Sequence, residues 1–119
     1  MFASKAQMKE IDRLQRRSDF LRLNKDGRKW VAKGLILLVC ENGREESRFG
    51  LTVTRRLSKS AVVRNRIKRR LRAAAYDILP EARKGMDYVL IGRPETATRL
   101  YADLQKDLKW CLGKLDSLP

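Results

Sequence analysis

The sequence predicts an α+β fold, a two-layer sandwich with its elements in the order α-β-β-β-α-β-α. Three observations carry this. Short apolar runs of strand length, "LILLVC" at 35–40 and "DYVLI" at 87–91, sit between turn-forming residues. "RFGLTVT" at 48–54 alternates in the manner of a half-buried strand. Two longer stretches, 58–78 and 98–115, repeat apolar residues at helical spacing. Elements in this mixed order suit one sheet with helices packed on it. A length of 119 residues suits a single domain, 1–119.

Residues 1–8 read as a loose N-terminal arm. A first short helix is expected from Ser18 to Lys25, with Ser18 as N-cap, Asp19 in the first turn and Gly27 after the end. "RKWVA" (28–32) and "GLILLVCE" (34–41) read as strands on either side of Lys33. "NGREES" (42–47) is turn material. In "RFGLTVT", Phe49, Leu51 and Val53 point one way, while Gly50, Thr52 and Thr54 point the other. This middle region is expected to be an antiparallel meander of two or three strands. A helix follows from Ser58 to Ile78, capped by Ser58 or Ser60 and stopped by Pro80. "MDYVLIGR" (86–93) is a strand that Pro94 ends. The last helix, Thr98 to Leu115, carries Leu100, Leu104, Leu108, Cys111 or Leu112, and Leu115 on one stripe. Tyr88 and Trp110 read as core and edge residues.

The charge is lopsided: 28 Lys and Arg against 14 Asp and Glu, a net +14. That exceeds what solubility needs and points to a polyanionic partner, nucleic acid before membrane surface. The chain contains no His. This removes His-based acid–base chemistry, Cys–His nucleophiles and most zinc sites. Cys40 and Cys111 lie far apart without CxxC spacing and read as buried core thiols. Asp12, Asp19 and Asp87 are scattered, with no paired-carboxylate spacing for a metal site, so no catalytic side chains are expected. The opening segment has no apolar h-region, and "LILLVC" is too short to span a bilayer. The expected location is the cytoplasm.

The charge concentrates in "TRRLSKSAVVRNRIKRRLRAAA", 54–75. On a helical projection Val63, Ile67, Leu71, Ala74 and Ile78 form a narrow core stripe. Arg64, Asn65, Lys68, Arg69 and Arg72 cover the broad opposite face. Arg66 and Arg70 flank the stripe, placed for their stems to pack and their heads to reach out. From Ser47 to Tyr76 there are ten Lys or Arg and no acid. Solvated helix faces normally mix signs through i,i+4 pairs, because like charges at that spacing repel. A phosphate backbone turns that repulsion into attraction. Eight of the ten are Arg, whose planar fork suits phosphate oxygens and stacks on bases.

"RNRIKRRLR" (64–72), preceded by "FGLTVTRR", resembles the signature of the protein subunit of bacterial ribonuclease P. The family pattern is an alternating strand ending in Ser or Thr and two basic residues, a short loop, then A-V-x-R-N-R-x-K-R-x-x-R. Here these are Thr54, Arg55 and Arg56, then Ala61 to Arg72. "RLQRRSDFLRLNKDGRK" (13–29) is similar to the family's N-terminal R-L-x-x-x-x-D-F segment, and "DYVLIGRP" (87–94) to its late strand. The likeness spans about residues 13–115. It departs at Asn24 and Leu38, where many members carry aromatics, and in a loop before Arg64 that is one residue longer.

The resemblance implies a ribosomal protein S5 domain 2-like fold with a left-handed βαβ crossover around the R-N-R helix. It implies an accessory subunit of a ribonucleoprotein endoribonuclease. The RNA is the catalyst, and the protein binds ribonuclease P RNA and the 5′ leader of precursor tRNA. Mg2+ is expected to serve the holoenzyme through the RNA, with no cofactor held firmly by the protein. The RNA-binding residues it implies are Arg64, Asn65, Arg66, Lys68, Arg69 and Arg72, joined by Arg55, Arg56 and Lys59 of the basic loop. Phe20 and the sheet face beside it belong to the leader cleft, with Trp30 as a further candidate stacker. Phe20 and Trp30 are each also readable as core residues. Neither a membrane partner nor a stable homo-oligomer is expected. A structural RNA-binding protein of ribosomal type is the alternative with the same charge and size. A helix-turn-helix DNA reader needs a helix before the basic one, and here a strand precedes it.

Overall fold

The structure, a computed structural model, describes residues 11–118; the arm expected at 1–8 lies outside them. The described residues form a mixed five-stranded sheet and three α-helices. In chain order these are β1 (Asp12–Arg13), α1 (Arg17–Asp26), β2 (Arg28–Val31), β3 (Leu35–Glu41), β4 (Arg48–Thr52), α2 (Ala61–Ile78), β5 (Met86–Gly92) and α3 (Tyr101–Lys114). Short 3₁₀ turns at Leu79–Glu81 and Pro94–Ala97 follow α2 and β5.

The strand order is β1-β4-β5-β3-β2. The expected meander is two strands long, not three. β2 and β3 do form an antiparallel hairpin, but β4 does not pair with β3. β5 lies between them, antiparallel to β3 and parallel to β4. The physical reason is burial. β5 and β3 carry near-continuous apolar runs, which suit strands covered on both faces. β4 and β5 are joined through α2 as a parallel β-α-β unit.

α2 and α3 form the second layer. Ile67, Leu71, Ala74, Ala75 and Ile78 of α2 meet Leu104, Leu108, Cys111 and Leu112 of α3 over Leu35, Leu37, Phe49, Tyr88 and Leu90 of the sheet. Leu71 is fully buried, and its truncation to Ala is worth about 2–5 kcal/mol. Gly92 lets α2 come close: a Cβ there would lie 2.7 Å from Ile67 Cγ2. Ser60 caps α2, its Oγ accepting from the Val63 N–H at 3.3 Å.

α1 lies on the other face of the sheet, where Leu14, Leu23, Leu38 and Val89 make a smaller cluster with Phe20, Cys40 and Ile91 against it. The helix starts at Arg17 after an Arg16 cap without a side-chain bond, so Ser18 lies inside the first turn rather than capping it. α3 starts at Tyr101 rather than Thr98, because residues 94–97 are taken up in their own turn. Thr96 Oγ1 there accepts from the Arg93 N–H at 2.9 Å and donates to Gly34 O at 2.5 Å.

Candidate nucleic-acid interface

The basic helix presents its cations in two ways. Arg66 and Arg70, beside the apolar stripe, reach sideways to the 94–97 turn. Arg66 Nε donates to Ala97 O and Arg70 Nε to Thr96 O, each at 2.8 Å, and Arg70 Nη2 also donates to Arg99 O. These carbonyls follow a strand end and would otherwise be left to water. Asn65, Arg66, Lys68 and Arg69 are exposed, and Arg64 and Arg72 half-buried. Arg66 therefore combines a structural bond through Nε with an outward-facing side chain.

At the N-terminal end of α2 the loop folds back. Arg64 Nη1 donates to Ser58 O at 2.8 Å. Arg55, Arg56, Lys59 and Arg64 together line a shallow concavity of about 640 Å³. The first turn of α2 carries no acid, so the positive end of the helix dipole adds to these four cations.

Among the described residues no ion pair involves a side chain from 55 to 72. The ion pairs join Arg22 and Arg48 to Asp19 and Asp87, Arg83 to Glu41, and Arg99 to Asp107. Arg48, the first of the ten cations in the acid-free stretch, is the exception to its outward reading. It is bound to Asp87 through two hydrogen bonds.

The face under α1 makes a second feature. Phe20 is half-buried and lies over Gly50, where a Cβ would come within 2.6 Å of its Cζ. Beside it the register aligns Val31 with Ile36, Ile36 with Ile91, and Ile91 with Thr52, one row across four strands. Val31 is exposed and the other three half-buried, so this row is an apolar shelf left open next to the Phe20 ring. The resemblance implied a sheet face beside Phe20 without naming its residues; the alternate positions of the strand runs were the signal for them.

Trp30 is corrected. It pairs with Leu37, on the face that carries α2 and α3, and packs against Trp110. The sheet separates it from Phe20, so the two aromatics do not share a cleft. Cys40 is also corrected: it is half-buried and accepts from Arg22 Nη1 at 3.3 Å. Cys111 is buried as expected. Burial, with the nearby Asp107 charge, pushes its thiol up to about 12.

Asp87 was missed as an organising residue. Its side chain is fully buried and accepts from Arg48, Arg22 and, at 3.0 Å, Asn42 Nδ2. Burial pushes its carboxyl up, but the hydrogen bonds from Arg48 and Asn42 and the Arg48 charge outweigh burial and hold it below its ordinary value. Among the described residues no group of three His, Cys, Asp or Glu is placed to hold a metal ion. Nor is any described helix long and apolar enough to cross a membrane.

The family model described as Ribonuclease P matches residues 8–116. The chain belongs to the ribonuclease P protein family. It is 42% identical over 114 residues to the ribonuclease P protein component of Paramagnetospirillum magneticum, covering 91% of this chain and 85% of that one. It is 43% identical over 106 residues to that of Gluconacetobacter diazotrophicus, covering 86% and 89%. Among solved structures, the ribonuclease P protein from Thermotoga maritima superposes with a TM-score of 0.74 at 29% identity, covering 87% of this chain and 96% of that one. The Staphylococcus aureus protein shares the fold, with a TM-score of 0.76 at 24% identity over 90% and 97%. As a ribonuclease P protein component, the chain is a subunit of the tRNA-processing endoribonuclease and has an RNA partner.

Proposed function

We propose that the chain binds ribonuclease P RNA through the loop at 55–59 and the outer face of α2, and holds the 5′ leader of precursor tRNA along the open shelf beside Phe20. The carrying observation is the row of cations from Arg55 to Arg72 with no carboxylate paired to it among the described residues. Polyphosphate is the chemistry that supplies the missing charge. Asn65, Lys68 and Arg69 stand outward to meet it, and Arg64 joins Arg55, Arg56 and Lys59 around the concavity. The Phe20 ring and the Val31–Ile36–Ile91–Thr52 row offer a flat apolar surface to unpaired bases. Removal of the leader is hydrolysis of a phosphodiester in which the RNA supplies the catalyst. Among the described residues no three carboxylates come together as a donor set for catalytic Mg2+, so the ion is assigned to the RNA. The chain's own part is to position the RNA and the leader and to offset their charge.

The test adds the pure protein to a bacterial ribonuclease P RNA at low Mg2+ and follows 5′ cleavage of precursor tRNA. Restored cleavage is expected, and Arg64→Ala or Asn65→Ala is expected to lower it at limiting protein. No rescue by the unaltered chain would sink the reading. A structural RNA-binding protein would bind the RNA without that rescue.

A further inference from the structure

Both tryptophans of the chain sit at one corner, on the sheet face opposite Phe20. Trp30 belongs to β2, the outermost strand, and Trp110 to α3. Their rings meet edge to face, with centroids 5.7 Å apart and planes at 78°. Trp30 is half-buried, and its Nε1–H is buried without an acceptor, so packing alone holds the ring. Trp110 is 49% exposed.

The surroundings of Trp110 are cationic. Lys106, Trp110 and Lys114 are four residues apart in turn and so form one ridge along α3, all exposed. Lys114 Nζ lies 5.9 Å from the centre of the Trp30 ring, within cation–π range. Arg28, on the same face of β2 as Trp30, donates to Leu115 O at 2.6 Å and so brings a guanidinium to the end of the ridge. Asp107, the acid between these lysines in sequence, is turned inward to Arg99 and the Gly34 N–H. Among the described residues none of Arg28, Lys106 and Lys114 is in an ion pair.

Core packing accounts for Trp30. It does not account for an indole half in water among cations that have no carboxylate. An apolar plane with unpaired positive charge on both sides complements one kind of partner, an anion chain bearing flat apolar groups. We propose that this corner is a second RNA-contact surface, where an unpaired base stacks on Trp110 while Lys106, Lys114 and Arg28 meet the flanking phosphates. It is separated by the sheet from the shelf beside Phe20 and does not include α2. It goes beyond the function proposed above and relies only on the family's having an RNA partner.

The chain's own fluorescence tests this. It has two tryptophans and both are here, so their emission reports on this corner alone. The full chain is titrated with a labelled oligouridylate; label anisotropy follows total binding and tryptophan emission follows the corner. Saturable quenching is expected. Lys106→Gln with Lys114→Gln, both at exposed positions, is expected to raise the quenching midpoint about fivefold. Trp110→Leu is expected to weaken the binding seen by the remaining Trp30 about tenfold. Phe20→Ala and Arg69→Ala are expected to leave the quenching midpoint unchanged, which separates this surface from the α2 and shelf contacts. Anisotropy that saturates with no change in emission would overturn the proposal. Equal quenching by polyglutamate, a polyanion without bases, would overturn it too.

Discussion

Arg48 and Asp87 meet across the parallel β4–β5 pair as a two-pronged ion pair, Nε to Oδ1 at 2.9 Å and Nη2 to Oδ2 at 2.7 Å. Arg22 reaches the same carboxylate from α1. A buried acid thus fastens α1 to the sheet, and with it the Phe20 ring. Removing the acid leaves two half-buried guanidinium groups with only the more distant Asp19 to face, and Asn42 without its acceptor. Asp87→Ala is expected to lower stability by about 3–5 kcal/mol in chemical unfolding. The pH dependence follows from the depressed folded-state pKa. The unfolded chain holds this proton near 3.8, the folded chain only at lower pH. The stabilisation is therefore fully present above 3.8 and is lost as pH falls through the folded value. Asp87→Asn is expected to flatten the acid limb of the stability curve. An unchanged acid limb would refute the role given to Asp87.

The two thiols are expected to differ sharply. The Cys111 thiol is buried and pushed up to about 12, so at pH 8 only about one part in ten thousand is thiolate. Cys40 is half-buried beside Arg22. An aromatic disulfide reagent at pH 8 is expected to label one thiol per native chain quickly and the second only after denaturation. Substituting Cys40→Ser is expected to abolish the fast phase. If Cys111→Ser abolishes it instead, the burial argument is wrong.

What was legible in the sequence was local. The 3.6-residue period of α2 identified Val63, Ile67, Leu71, Ala74 and Ile78 as its core face; the last four are buried and Val63 is half-buried against the core. Pro80 stops that helix, and the continuous runs of β3 and β5 marked strands. The pairing of those strands was not legible: continuous apolar runs mark β3 and β5 as covered on both faces but do not say which strand lies beside which. β1 is two residues long, too short for any periodicity. The grouping of Trp30 with Phe20 went wrong because β2 has only four residues, with solvent reaching both sides, so alternation could not fix its face. The Asp87 cluster draws on α1, β4 and β5, so its members read as unrelated charges along the chain. The cationic row needed no tertiary information, because its missing carboxylates were already missing from the sequence around it.

Gly50 sits under Phe20 with no room for a side chain: a methyl group would meet Phe20 Cζ at 2.6 Å and Cε1 at 2.7 Å. Gly50→Ala is therefore expected to push the ring off β4 and tilt the start of α1. The overpacking cost is about 1–3 kcal/mol, readable in chemical unfolding. The same change narrows the shelf beside the ring. Its larger effect is expected on KM for precursor tRNA with a long leader, with little effect on a substrate whose leader is cut to one nucleotide. Phe20→Leu in the same background restores space and is expected to recover stability but not leader binding. Equal losses for long and short leaders would place the effect in the fold rather than in the cleft.

Neighbouring arginines of α2 are expected to separate into holders and binders. Arg70 donates to Thr96 O and Arg99 O across the helix–turn junction, while Arg69 one step earlier points into solvent. Arg70→Ala leaves two carbonyls without their charged donor, and such bonds contribute about 1.5–3 kcal/mol. Arg69→Ala and Lys68→Ala break no internal hydrogen bond of this kind and are expected to stay within about 0.5 kcal/mol of the parent in unfolding. RNA binding is expected to rank them the other way. Every phosphate left without its cation lowers the slope of log affinity against log salt by about 0.7–0.9, so Arg69→Ala and Lys68→Ala should each flatten it by one such step. Arg70→Ala should weaken binding only as far as it loosens the fold, with the slope intact. Arg66 stands between the classes, tied through Nε to Ala97 O yet exposed, and Arg66→Ala is expected to lower both stability and salt slope. A common slope for all four variants would mean that the outward cations of α2 do not lie against phosphate.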